Sequence, residues 1–160
     1  VRISTPVGSL VNIDWLYQIR QNRGFIAGGE QAGAVGAYSH IQLYNPANSG
    51  RVVIIKKLFV SVDVSALVHV RTYDTALATL ITTGINLATG GSAGAGQLKK
   101  TTNAAILGTF VVGAWVPSGQ IFELVKDWWF LLNQATGILI VPDSANNKIQ
   151  SWWEWTEIDA

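Results

Sequence analysis

The chain has 160 residues, a formal net charge of +1 and no cysteine. That length suits one domain with one core, the missing thiols exclude disulfides and thiolate metal sites, and the near-neutral balance gives no electrostatic reason to expect nucleic acid or an anionic membrane as partner. Charged residues make up only 13% while apolar residues reach 49%, against about 25% charged in an average soluble domain. A monomer covers itself with charges of both signs. This composition favours a surface covered in part by further copies of the chain or by another protein.

In chain order, residues 1–23 alternate at Val11, Ile13, Trp15, Tyr17 and Ile19, which fits a strand or an extended arm. A short helix through Trp15, Leu16 and Ile19 remains an alternative. "GFIAGGEQAGAVGAYS" (24–39) is rich in glycine and small residues and reads as a flexible connection. From Ser39 the pattern becomes short strands with turn chemistry between them. "HIQLY" (40–44) stops at "NPANSG", and "RVVIIKKLFVSVDV" (51–64), "LVHVRTY" (67–73) and "ALATLIT" (76–82) follow. Beyond the loop 84–97 come "LKKTTNA", "ILGTFVVGAWV" (106–116), "IFELV" (121–125), "WWFLLNQATGILIVP" (128–142) and "KIQSWWEWTEI" (148–158). About eight strands at close spacing, without long amphipathic helices, predict an all-β sandwich or barrel. No run approaches the ~18 apolar residues of a membrane span.

Candidate chemistry is thin. "GSAGAGQL" (91–98) has glycines at P-loop spacing, but Gln97 stands where the phosphate-binding lysine belongs, so a mobile inter-strand loop is expected. His40 and His69 are far apart and lack cysteine partners, which makes a poor zinc set. Glu154 and Glu157 face opposite ways on a strand; Asp63 and Asp74 are a pair only if a hairpin brings them together. Lys56–Lys57 and Lys99–Lys100 are the only basic pairs, and neither lies among the tryptophans. No catalytic set, cofactor site or metal site is expected. "SWWEWTEI" (151–158) places Trp153 and Trp155 on one face and Trp152 on the other, so either both faces of its sheet are covered or one meets another chain.

Two segments, "HIQLYNPANSGRVVIIKKLFVSV" (40–62) and "ATGILIVPDSANNKIQSWWEWTEI" (135–158), resemble small virion proteins of tailed bacteriophages. The matching residues are Ile41, Leu43, Asn45, Pro46, Ser49 and Gly50, then Gly137, Ile138, Val141, Ala145, Asn146, Trp155 and Glu157. The resemblance covers roughly a third of the chain. It implies a jelly-roll-like antiparallel β-sandwich, commonly trimeric, that serves as a capsid decoration (cement) protein or as a tail or fibre module. On that reading residues 1–37 form an N-terminal arm or linker and 38–160 the sandwich, and removing the arm leaves the sandwich folded. The expected partners are further copies in a homotrimer and the major capsid protein, without nucleic acid or membrane. The expected location is the capsid surface of a virion made in the host cytoplasm. Trp15, Phe25, Trp128, Trp129 and Trp152 are the expected interface residues, and an enzyme is not expected. The alternative is a receptor- or glycan-binding module at a tail tip.

Overall fold

The computed structural model of the protein describes residues 16–125 and 130–160. Its strands are β1 (Gly24–Gln31), β2 (Tyr38–Asn45), β3 (Arg51–Val62), β4 (Ala66–Thr72), β5 (Thr79–Thr83), β6 (Ile85–Asn86), β7 (Gln97–Asn103), β8 (Thr109–Val116), β9 (Phe122–Val125), β10 (Phe130–Leu132), β11 (Thr136–Pro142) and β12 (Ile149–Asp159). They form two antiparallel six-stranded sheets packed as a sandwich. The first runs β10-β3-β12-β1-β6, with β9 also beside β3; the second runs β5-β7-β2-β11-β4-β8. Residues 16–20 form a short helical turn, so the helical alternative holds there.

Alternation dictates the core. Val53, Ile55, Leu58 and Val60 of β3, Phe25 and Ala27 of β1, and Ile149, Trp153 and Trp155 of β12 point between the sheets. Ile41, Leu43, Val68, Val70, Leu98, Ile138 and Ile140 meet them from the second sheet. Ile55 and Leu58 are three residues apart, a spacing that puts strand neighbours on opposite faces. Both are nevertheless buried, because the β3–β12 register shifts between Glu154 and Trp155: Trp155 faces Ile55 and Glu154 faces Lys57. The extra residue, Lys56, is a bulge that resets the phase of "IIKKLFV". Trp153 and Trp155 are fully buried, and each indole removes roughly 150–250 Å² from water. At ~25 cal/mol/Å² that stabilises the sandwich by roughly 4–6 kcal/mol apiece as an upper bound. Their N–H groups donate to Ser151 Oγ at 2.8 Å and Glu157 Oε1 at 2.9 Å, which offsets the cost of burying a donor.

Three sequence expectations change. The connection expected at 24–39 contains β1, which pairs along its whole length with β12, from Gly24↔Thr156 to Gln31↔Ile149. Its small residues are what the position requires: a Cβ on Gly29 would come 2.7 Å from Ile81 Cδ1. The sandwich therefore includes residues 24–31, and an arm reaching to residue 37 is not what the described residues form. The described part of the run 128–142 is two strands, β10 and β11, because Ala135 adopts a left-handed φ of 60° and Thr136 Oγ1 donates to Asn133 O at 2.8 Å to close a turn. The segment 91–98, expected to be a mobile loop, is fastened to its neighbours: Gly94 N–H donates to Gly84 O at 2.9 Å, and Ala95 and Gly96 N–H donate to Glu157. A Cβ at Gly84 would lie 2.4 Å from Trp155 Cζ2, and one at Gly96 3.0 Å from its Nε1. Glycine is thus what lets the loop lie flat on the indole.

Candidate functional site

The two outer faces of the sandwich are treated differently. On the second sheet, Leu139 and Val141 point away from the core yet have no exposed surface, because loops from the same chain lie over them. Gln42, fully buried on β2, donates through Nε2 to Tyr73 O at 2.7 Å and Thr75 O at 3.1 Å, and its Oε1 accepts Leu77 N–H at 2.9 Å. His40 Nε2 accepts Leu107 N–H at 3.2 Å, while Nδ1 bonds Tyr38 O at 3.0 Å. Arg71 reaches from β4 to Leu107 O and Gly108 O, at 2.7 and 2.6 Å. Burial holds the His40 ring neutral, with its pKa pushed down to about 4. Burial, and next the Arg71 guanidinium, also lower that of His69. His69 packs edge-on to Phe110 with ring centroids 5.0 Å apart.

No described loop closes the outer face of the first sheet in this way. One row across β9, β3, β12 and β1 reads Glu123, Phe59, Trp152 and Gly28. The next, across β3, β12, β1 and β6, reads Lys57, Glu154, Ile26 and Ile85. A third, across β10, β3 and β12, reads Leu131, Ile54 and Thr156; Thr156 is only 2% exposed, so the face is covered at that end. Leu131 is 58% exposed, Ile85 60% and Trp152 36%; Phe59, Ile26 and Ile54 are half-buried. The Trp152 indole lies on β1 because Gly28 has no side chain: a Cβ there would come 2.9 Å from Cδ1. A polar rim borders the patch, where Gln150 Nε2 and Lys148 Nζ each lie 3.0 Å from Glu30 Oε2. The hydrogen bond from Gln150, then that from Lys148, lowers the Glu30 pKa; the Glu30 carboxylate raises that of Lys148. Lys57 and Glu154 stand on the two central strands between the Phe59–Trp152 and Ile54–Thr156 rows, so the face mixes apolar side chains with a charged cross-strand pair. Its exposed aromatic and aliphatic groups suit contact with another protein.

The P-loop-like segment has a different role. Glu157, 3% exposed, accepts Ala95 N–H and Gly96 N–H at 2.9 Å each, besides the Trp155 indole. The backbone donors that would hold a phosphate in a true P-loop here hold the chain's own carboxylate. Beside it lies an open cleft of about 570 Å³ lined in part by Arg23, Arg51, Asn86, Glu157 and Asp159. Its charges answer one another: Arg51 pairs with Asp159, and Arg23 lies 3.5 Å from the same carboxylate. Asp63 precedes β4 and Asp74 follows it, so the length of a strand separates them. Glu154 and Glu157 face opposite ways. Among the described residues no group of three or more His, Asp or Glu is placed to hold a metal ion, and no helix is long and apolar enough to cross a membrane.

Of the expected interface residues, Trp152 lies outward on the open face. Phe25 does not: it is 4% exposed and stacks on Trp155 with centroids 6.1 Å apart. Its expected role as an anchor on a neighbour gives way to core packing, since β1 faces inward at that position. Trp15, Trp128 and Trp129 lie outside the described residues. Sequence reasoning passed over Phe59, Ile26, Ile54 and Ile85, which join Trp152 only through strand register. It also passed over Gln42, whose one signal is an amide between apolar neighbours in "HIQLY". Several residues that carry the phage-protein resemblance act in the fold. Asn45 Nδ2 donates to Arg51 O and Leu132 O at 2.8 and 3.0 Å, and Gly50 and Asn146 have φ of 66° and 57°. Comparison of the chain with protein-family models, with curated proteins and with solved structures finds no match.

Proposed function

We propose that the protein is a structural component of a tailed-bacteriophage virion, a homotrimeric capsid decoration (cement) protein that binds across neighbouring major capsid proteins. The observation that carries a binding role is the contrast between the outer faces. The chain lays its own loops over the middle of one, around Gln42, Leu139 and Val141, while Phe110 and Trp115 at its β8 margin stay exposed. On the other it leaves Trp152, Phe59, Ile26 and Ile85 uncovered around the cross-strand neighbours Lys57 and Glu154. The resemblance supplies the virion setting and the number three. The reading of the sandwich as a jelly roll is supported by its winding: β1, β12, β3 and β9/β10 stand in one sheet and β2, β11, β4 and β8 in the other. On that reading β5, β6 and β7 are an insertion. A decoration protein works by its interface, and a patch repeated by particle symmetry gains avidity from many modest contacts.

The test is binding to emptied capsid shells. Trp152→Ala should melt at a temperature close to the parent's and bind shells more weakly by about 2 kcal/mol or more, as for an interface hot spot. Full binding by this variant would remove Trp152 from the interface. Parent protein that ignores shells but binds host cells would instead favour the tail-tip receptor or glycan module.

A further inference from the structure

We propose that β8 is a self-pairing edge: its free side joins the same strand of a second copy, antiparallel about a two-fold axis, so that two second sheets continue as one. An exposed sheet edge presents unpaired N–H and C=O groups, and proteins protect such edges by keeping them short, charged, proline-bearing or bulged. Three of the four edges here are protected. The β6 edge is two residues long; the β3 edge carries only the short strands β9 and β10, of four and three residues. The β5 edge has five residues and a register shift between Leu80 and Thr82.

The β8 edge differs. It has eight residues, "TFVVGAWV", with no proline, and no charged residue occurs between Lys100 and Glu123. Phe110 is 50% exposed, Val111 40% and Trp115 61%. One protective device is present, a register shift that leaves Val111 as an extra residue opposite Val70 and Arg71. It lies near the start of the strand, and from Val112 to Val116 the pairing with β4 is regular. Among the described residues, β4 is the only strand paired with β8.

The absence of charge fits a second copy as the occupant. Two-fold pairing sets each residue opposite one from the same strand, so a charged edge would meet its own sign and be repelled. This edge carries no such cost. The pairing also brings Trp115 and Phe110 of both copies to the seam, where they cover one another. A contact through one eight-residue strand is a small one, so it forms with rising concentration. It is independent of the virion setting; in a trimer each chain offers one such edge, so the assembly closes as a pair of trimers where the two-folds lie perpendicular to the three-fold and otherwise grows further.

The test compares the parent with the double variant Val111→Lys/Trp115→Lys by light scattering across micromolar to millimolar concentration. The parent should reach at least twice the mass of the variant, with unchanged circular dichroism in both. Equal masses at every concentration overturn the proposal. Because the chain has no cysteine, single cysteines at Thr109, Val111, Gly113 and Trp115 give a second reading. An antiparallel two-fold brings one part of the strand opposite itself, so disulfide-linked dimers should peak at one position and fall away on either side. No cross-link at any position, or a uniform yield, overturns it. Failure of the parent to bind capsid shells would sink the virion reading and leave the mass comparison untouched.

Discussion

Trp152 and Trp153 are adjacent in the chain and opposite in environment, 36% and 0% exposed. Trp155 shares the interior with Trp153 and receives Phe25, Gly84 and Gly96 against its ring. Trp155→Ala should therefore destabilise the fold by about 3–5 kcal/mol, the range for a large core truncation, in a denaturant titration where Trp152→Ala changes little. It would also leave Glu157 without its indole donor. His40 sets a pH dependence of a definite sign. Its neutral ring uses both nitrogens, Nδ1 toward Tyr38 O and Nε2 accepting Leu107 N–H, and protonation would turn that acceptor into a donor facing a donor. With a folded pKa of about 4 against 6.5 ordinarily, the unfolded chain takes up the proton first. The stabilisation is full above about pH 6.5 and is lost as pH falls toward 4, by about 3 kcal/mol in all at ~1.4 kcal/mol per pH unit. Unfolding free energies at pH 7.5, 6 and 4.5 should fall in that order; a flat series would contradict the buried neutral ring.

At the scale of elements, β1 decides what can be removed. It stands inside the first sheet between β12 and β6 and delivers Phe25 and Ala27 to the core. Deleting residues 1–37 should abolish cooperative unfolding and expose β12 along eight register pairs; a truncated chain with a sharp thermal transition would show that β1 is dispensable. This strand was the least legible in the sequence. Its glycines at 28 and 29 carry no alternation, and their reason lies across space, in Trp152 and Ile81. Strands β2, β3, β4, β7, β8 and β12 were legible, because β-branched and aromatic residues alternate there between turn residues. The inward and outward tryptophans of β12 followed from the same period of two. The open face was only partly legible: Trp152 is visible as an outward residue, but Phe59, Ile26 and Ile85 join it through strand order, which periodicity does not encode. The covering loops were invisible for the same reason, since His40 and Gln42 bind partners more than thirty residues away.

For the whole molecule, the scarcity of charge and the open apolar face fit a chain that functions in an assembly. With its β8 edge blocked by Val111→Lys/Trp115→Lys, it should scatter light as three chains of 17.3 kDa; a stable monomer at micromolar concentration would refute the trimer. One feature of the strand order also governs how the molecule is made. Residues 24–31 pair with residues 149–156, so the first of the described strands to leave the ribosome must wait for the twelfth. Such distant pairing slows folding and keeps apolar strands exposed while synthesis proceeds. Chains stalled on the ribosome before Ile149 should stay sensitive to protease, and release of the full chain should confer resistance. Protease resistance of the stalled chains would mean that the sandwich closes without β12. A chain terminated before Ile149 thus lacks the strand that joins β1 to β3 and with it Trp152, so neither the sheet nor its outward indole is there for any partner.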